Sequence, residues 1–241
     1  MINKIIAVYP GRFQPMGRHH KATYDWMVSR FGADNSFIVT SDKVCAPNSP
    51  FCFDDKSKIA QAYGIPEFSI KNERVVYAPT RYSFMQNENP ETTAVVVIVG
   101  EKDLKDSYDP KTGKVEKARF RKGSTLDGIK SNGQPTYFKS YDIQSGLQGF
   151  HSHGYVLQAP HQAVDVQGAE MSGSELRRYL PKASDEEFAD VMGFDNPEVR
   201  SLVRGKLSES YDGILEKSTY GNQSVEKTIS EMMLKALTKN R

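Results

Sequence analysis

Two hydrophobic periods alternate along the first hundred residues. Residues 4–9 (KIIAVY), 36–40 (SFIVT), 74–78 (RVVYA) and 94–99 (AVVVIV) are short apolar runs rich in β-branched side chains. Such runs mark strands covered on both faces. Between them the spacing becomes helical. Over 18–30, His20, Tyr24 and Met27 share one stripe, and 53–63 is helical until Gly64-Ile65-Pro66 stops it. The order strand, loop, helix, strand, helix, strand predicts right-handed crossovers and a parallel α/β sheet.

The pattern fails from 104 to 150, a polar stretch rich in Lys, Gly, Ser and Asp. It reads as a long insertion, a partly ordered lid or mobile loop too polar to build a second core. Its first part is basic (Lys111, Lys114, Lys117, Arg119, Arg121, Lys122), and Phe120, Tyr137, Phe138 and Tyr141 offer stacking surfaces. Residues 154–159 (GYVLQA) return as a strand. Helical spacing then covers 174–180, 184–192, 197–206 and 224–238, the last with Val225, Ile229, Met232, Met233, Ala236 and Leu237 on one stripe. The expected organisation is an α/β domain over 1–181 carrying the insertion 104–150, then a C-terminal helical segment over 182–241.

Composition narrows the function classes. The chain has 241 residues, 38% hydrophobic and 26% charged, as in globular proteins. Thirty-two basic against thirty acidic residues, a net charge of +2, give no overall field for a nucleic-acid backbone. The longest apolar run, Ala94–Val99, is far shorter than the roughly 20 residues that span a bilayer. Met1–Tyr9 has no small-residue cleavage site and reads as a buried strand rather than a signal peptide. Cys45 and Cys52 match neither a disulfide framework nor a zinc spacing, so a reducing, cytoplasmic setting is expected. His151, His153 and His161 lack a HExxH-like pattern, and no metal-binding residues are expected.

Two stretches carry chemistry. Pro10-Gly11-Arg12-Phe13-Gln14-Pro15-Met16-Gly17-Arg18-His19-His20 leaves the first strand and opens the first helix. Ligands of open parallel sheets sit outside the carboxyl ends of strands, and helix starts favour phosphate. Gly11 and Gly17 permit close backbone approach, while Arg12, Arg18, His19 and His20 add donors and charge. Met171-Ser172-Gly173-Ser174-Glu175-Leu176-Arg177-Arg178 likewise follows a strand and opens a helix. Ser172 and Glu175 read as a capping box. Ser174 and Arg177, spaced i and i+3, put a hydroxyl and a guanidinium on one helix face.

Together these stretches resemble the nucleotidylyltransferase superfamily, with its HxGH-type motif after strand one and an ISSTxxR-type motif at a late helix start. The likeness is strongest to the archaeal type of nicotinamide mononucleotide adenylyltransferase. GRFQPMGRHH (11–20) is similar to its GRFQPFHxGH-like opening, SPFCFDDK (49–56) to its NPFTAGER-like segment, and SGSELR (172–177) to its SGTEVR-like segment. The chain departs from the tetrad at Gly17 and His19, and only His20 stands in place. Lys56 stands where that type has arginine. No tryptophan lies between 67 and 100 to cover a nicotinamide ring, and the sole Trp26 reads as core.

The resemblance implies a Rossmann-like, doubly wound parallel sheet. It implies transfer of a nucleotidyl group, AMP from ATP, to a phosphorylated small molecule such as nicotinamide mononucleotide, with release of pyrophosphate. His20, Arg177 and Lys56 would be catalytic. Gly11, Arg12, Phe13, Gly17, Arg18, His19, Ser172 and Ser174 would surround the phosphates, and Asp103 would touch a ribose or the acceptor. Mg2+ would arrive with the triphosphate. Nucleic acid and membranes are not expected partners, and a homo-oligomer is compatible with the pattern. Three rivals stay open. One is a transferase using CTP or a phosphopantetheine-type acceptor. Another is class I aminoacyl-tRNA synthetase ancestry, discounted because no clear KMSKS segment or anticodon domain is present. The third is a degenerate nucleotide-binding scaffold, for which Gly17 speaks.

Overall fold

Seven-residue strands at Lys4–Pro10 (β1) and Thr93–Val99 (β4) form the middle of one sheet. In this computed structural model residues 1–45, 48–109, 113–162, 164–166 and 169–209 are described. The expected helix at 224–238, and Lys111, lie outside them. After β1 come α1 (Arg18–Phe31), β2 (Ser36–Thr40), α2 (Phe53–Ala62) and β3 (Ile70–Asn72). After β4 come β5 (Phe138–Ser140), β6 (Gly154–Gln158), α3 (Gly173–Tyr179) and α4 (Asp185–Met192), and residues 197–209 are helical.

The sheet order is β3-β2-β1-β4-β6-β5, and every pairing is parallel. This is the Rossmann-like α/β architecture. The chain steps outward from β1 to β3, then returns to the other side of β1 as β4. Right-handed crossovers require steps in opposite directions to lie on opposite faces. Ala7, Ile38, Ala94, Val96 and Ile98 accordingly point to one core, which α1–α4 cover. Ile6, Val8, Val39, Val95, Val97, Val99 and Val156 point to another. That second face is closed by irregular chain rather than by helices. Tyr82 and Met85 come from the β3–β4 connection, and Phe120, Leu126 and Phe150 from the insertion. All seven residues of β4 are buried. Each large apolar side chain so buried contributes roughly 1.5–3 kcal/mol, which fixes β4 at the centre.

Two expectations are corrected. The third strand is 70–72, not 74–78. Glu73 ends it. Its N–H still donates to the Thr40 carbonyl, but its buried carboxylate accepts from Ser83 N–H and Oγ, both at 2.7 Å, and turns the chain off the sheet. Val76 and Tyr77 then pack on the second core from a turn, so their apolar character comes from that face. The insertion is not too polar to contribute to a core. It supplies β5 at the sheet edge and side chains to the second core, with Phe120 and Phe138 edge to face at 4.9 Å. These two rings are packing, not stacking surfaces. The insertion also pairs 107–109 with 114–116 as a small antiparallel ladder, and 114–116 are exposed.

Candidate active site

A cleft of about 670 Å³ opens at the carboxyl ends of β1, β4 and β6. This is the point where the connections change direction, the place where open α/β sheets bind ligands. Its walls are residues 9–15 at and beyond the end of β1, His19, His20 and Thr23 of α1, Tyr77, residues 100–103 after β4, 158–162 at and beyond the end of β6, and the start of α3.

The loop after β1 is tightly built. Gly11 lies under the Phe13 ring, where a Cβ would stand 2.7 Å from Phe13 Cζ. Phe13 itself adopts φ +48°, a left-handed conformation uncommon outside glycine and costing of order 1–3 kcal/mol. Its ring meets Tyr9 and His20 edge to face at 5.3 and 5.1 Å. Gln14, buried, makes a reciprocal pair with Phe51: Nε2 donates to its carbonyl and Oε1 accepts its N–H, both at 2.9 Å. The carbonyl of Gln14 accepts from Arg177 Nη1 at 3.0 Å. One residue thus ties the Gly11–His20 loop to the 49–52 segment and to α3. Sequence reasoning passed over Gln14 because it is neutral and its partners are distant in the chain.

α1 starts without a side-chain cap or an acid in its first turn. The N–H of Gly17 donates to His20 Nδ1 at 3.0 Å. Burial, then the neighbouring His19, holds the His20 pKa well below its usual value. The ring is therefore neutral near pH 7, and with Nδ1 accepting, the proton sits on Nε2. The His19 ring lies 3.8 Å from that of His20, tilted by 40°, and burial pushes its pKa down to about 4. A Cβ on Gly17 would stand 3.0 Å from His19 Cε1, so the His19 ring occupies the space a side chain at 17 would enter. The Nδ1 of His19 is buried without a hydrogen-bond partner. Gly17 and His19 are thus one packing unit rather than two separate departures from the tetrad.

At α3 the capping box forms: Ser172 Oγ accepts from the Glu175 N–H, and Glu175 Oε2 accepts from the Ser172 N–H. The i, i+3 facing also holds, since Arg177 Nη2 donates to Ser174 Oγ at 3.1 Å. Gly11, Arg12, Phe13, His19, His20, Ser172, Arg177 and Asp103 line the cleft. Gly17 and Ser174 stand just behind it, through His20 and Arg177. Lys56 and Arg18 are directed elsewhere. Lys56 is buried, with Nζ donating to the Ser41 carbonyl at 2.5 Å and to Thr40 Oγ1 at 3.3 Å. Burial lowers its pKa. Arg18 Nη1 donates to the Asp190 carbonyl in the last turn of α4, a favourable place for a cation.

Tyr9 and Tyr77 enter the site from outside the expected set. Burial pushes the Tyr9 hydroxyl up to about 12. Tyr77, hidden in the supposed strand, supplies an aromatic ring at the end of the cleft where no tryptophan stands. Asp103 is beside it, its pKa raised chiefly by burial. Trp26 is half-buried against the helical-face core. Among the described residues, no group of three or more His, Cys, Asp or Glu side chains is placed to hold a metal, and no helix is long and apolar enough to cross a membrane. Cys45 and Cys52 are free thiols.

No protein-family model and no curated protein matches the chain. Among solved structures it is similar to the nicotinic acid mononucleotide adenylyltransferase of Plasmodium falciparum. In that enzyme's complex with APC the identity is 12% and the TM-score 0.42, covering 83% of this chain and 94% of that one. In its complex with NaAD the figures are 14%, 0.41, 83% and 95%. The bifunctional NMN adenylyltransferase/ADP ribose pyrophosphatase of Francisella tularensis, complexed with AMP and a Mn ion, is 12% identical with a TM-score of 0.45. It covers 91% of this chain, which spans 56% of that protein.

Proposed function

We propose that this chain is a nucleotidylyltransferase that moves AMP from ATP to the phosphate of a small-molecule acceptor such as nicotinamide mononucleotide. One observation carries the reading. The Gly11–His20 loop and Arg177, from opposite ends of the sequence, converge on one cleft at the switch point and are joined through Gln14.

An acceptor phosphate oxygen attacks the α-phosphorus. The bond from that phosphorus to the bridging oxygen of the β-phosphate breaks, and pyrophosphate leaves with the electron pair. No covalent enzyme intermediate is needed, so the protein aligns groups and neutralises charge. Neutral His20 donates from Nε2 to an α-phosphate oxygen, a bond that strengthens as charge develops. Arg177 holds the β- and γ-phosphates while Ser174 Oγ braces its guanidinium from behind, and Arg12, also in the cleft wall, adds positive charge. Lys56 serves by bracing Ser41 at the end of β2. A magnesium ion would arrive with the triphosphate as part of the substrate, and would help neutralise its phosphate charge.

The test is pyrophosphate release with ATP and magnesium over a panel of phosphorylated acceptors, with products read by mass spectrometry. The expected result is one adenylylated acceptor per pyrophosphate released. Equal turnover with CTP would move the reading to a base-tolerant transferase. Thermal stabilisation by ATP with no release under any acceptor would replace the enzyme with a nucleotide-binding scaffold.

A further inference from the structure

A second pocket, of about 510 Å³, opens beyond the carboxyl end of β3 and is lined by Glu73, Arg74, Val75 and Arg81. It shares no lining residue with the cleft. Its walls belong to one compact loop, residues 74–82, whose base is closed by the bonds from Ser83 to Glu73 Oε1. Within the loop the Ala78 N–H donates to the Val75 carbonyl at 3.3 Å, and the Arg81 N–H to the Ala78 carbonyl at 2.9 Å. Pro79 is buried at the start of a single 3-10 turn, Pro79–Arg81. Tyr82, 2% exposed, donates from its hydroxyl to the Val76 carbonyl. The backbone that carries Arg74 and Arg81 is thus fixed without help from their side chains. Tyr77 leaves this loop for the cleft, whereas the two arginines leave it for the pocket.

The state of these arginines sets them apart. Arg18, Arg200 and Arg204 all engage carbonyls or carboxylates of the protein. Among the described residues, Arg74 and Arg81 make no ion pair, hydrogen bond or ring contact. The acid in the lining, Glu73, is buried and directs Oε1 to both Ser83 donors. Two guanidiniums against one carboxylate leave the lining net positive. Each guanidinium is a planar donor fork that matches phosphate oxygens in pairs. The volume falls within the range of roughly 300–1,000 Å³ in which small molecules are held. Val75 is the one apolar side chain in the wall, too little surface to cover a nucleobase. The complement is therefore a compact phosphate group rather than a nucleoside. A loop whose backbone is already set has little ordering to do when such an anion arrives.

We propose that Arg74 and Arg81 form a second anion site, separate from the cleft, that binds a compact phosphate-bearing small molecule between two guanidinium forks. The site does not depend on the adenylyl-transfer reading, since no residue of the cleft takes part in it.

The experiment uses the full chain with inorganic phosphate as the probe, at constant ionic strength. Phenylglyoxal modifies free guanidiniums, and peptide mass spectrometry follows the rate at each arginine separately. Phosphate should protect Arg74 and Arg81 together, with half-protection below about 1 mM. Exposed Arg121 is the internal reference and should react at an unchanged rate. Arg74→Gln should weaken protection of Arg81 at least about tenfold, and Arg81→Gln should do the same to Arg74, because the anion needs both forks. Arg81→Lys should not restore protection of Arg74, since an ammonium is a point charge. Arg177→Gln, which alters the cleft, should leave protection of both residues in place. Protection of one arginine alone, equal slowing at Arg121, or none below about 10 mM phosphate would each overturn the site. Loss of protection in Arg177→Gln would overturn it as well, by assigning the anion to the cleft.

Discussion

The two ends of the cleft are built to different standards. At the end proposed for phosphate, the loop after β1 is held by the Gln14–Phe51 pair, the Gly17–His20 bond and the Arg177–Gln14 bond, all between 2.9 and 3.0 Å. At the other end, Tyr77, Asp103 and Arg119 meet through a 3.5 Å ion pair and a stacked face, on chain that has left regular structure. The first end is over-determined, so each group keeps its position whatever binds. The second depends on a few side chains and is open to change without disturbing the sheet. In the proposed reaction, groups that must meet a transition state would sit on the first.

Breaking the phosphate end should therefore cost turnover and stability together. His20→Ala should lower kcat by roughly 100-fold or more while leaving ATP affinity near normal, as for loss of a transition-state donor. Steady-state kinetics check this, and a loss confined to KM would move His20 out of catalysis. Gln14→Ala should destabilise the fold by about 2 kcal/mol, because it leaves buried Phe51 backbone groups unpaired. Urea unfolding measures it, and turnover should fall as well once Arg177 loses its anchor. Arg177→Lys should weaken triphosphate binding by roughly tenfold although charge is kept, while Arg178→Lys, about 100° round the helix, should change little. Equal sensitivity at both would contradict the facing of α3.

The smallest effect is a pH dependence. Folded His19 takes a proton only near pH 4, but the unfolded chain takes one near the usual value of 6.5. Between these values the unfolded state binds more protons. His19 thus contributes stability that is complete above pH 6.5 and is lost as pH falls toward 4. His20 acts in the same direction. Thermal unfolding between pH 7 and 4.5 should show a falling midpoint, and His19→Asn should flatten that slope. An unchanged slope would take the titration away from His19.

The same contrast explains what the sequence discloses. β1, β2, β4 and β6 lie within one residue of their apolar runs, because strands buried on both faces leave an uninterrupted pattern. Ser174 and Arg177 meet as their spacing predicts, because a helix converts spacing directly into geometry. The rest is tertiary. Gln14 acts through a segment 37 residues away. Tyr77 lies in a run that looks like a strand but packs as a turn. Arg119 is one cation among many in a basic stretch until Ala118 and Phe120 are known to be buried on either side of it. Lys56 and Arg18 show the converse. Charge beside a motif is legible, but the carbonyls of Ser41 and Asp190 that engage it are not.

The lengths of the strands have a further consequence. Across the sheet, from β3 to β5, they run three, five, seven, seven, five and three residues. The insertion supplies the last of these and so finishes a symmetric taper. An exposed sheet margin is a template on which another chain can extend the ladder, and short margins blunt it. Here both margins are three residues long, and on β5 Asp127 already engages the Phe138 carbonyl and the Ser140 N–H, leaving too little for a stable added strand. The taper makes the protein's own sheet a poor seed for aggregation, and a deletion of 106–149 that exposed five-residue β6 would be expected to aggregate sooner in light-scattering measurements.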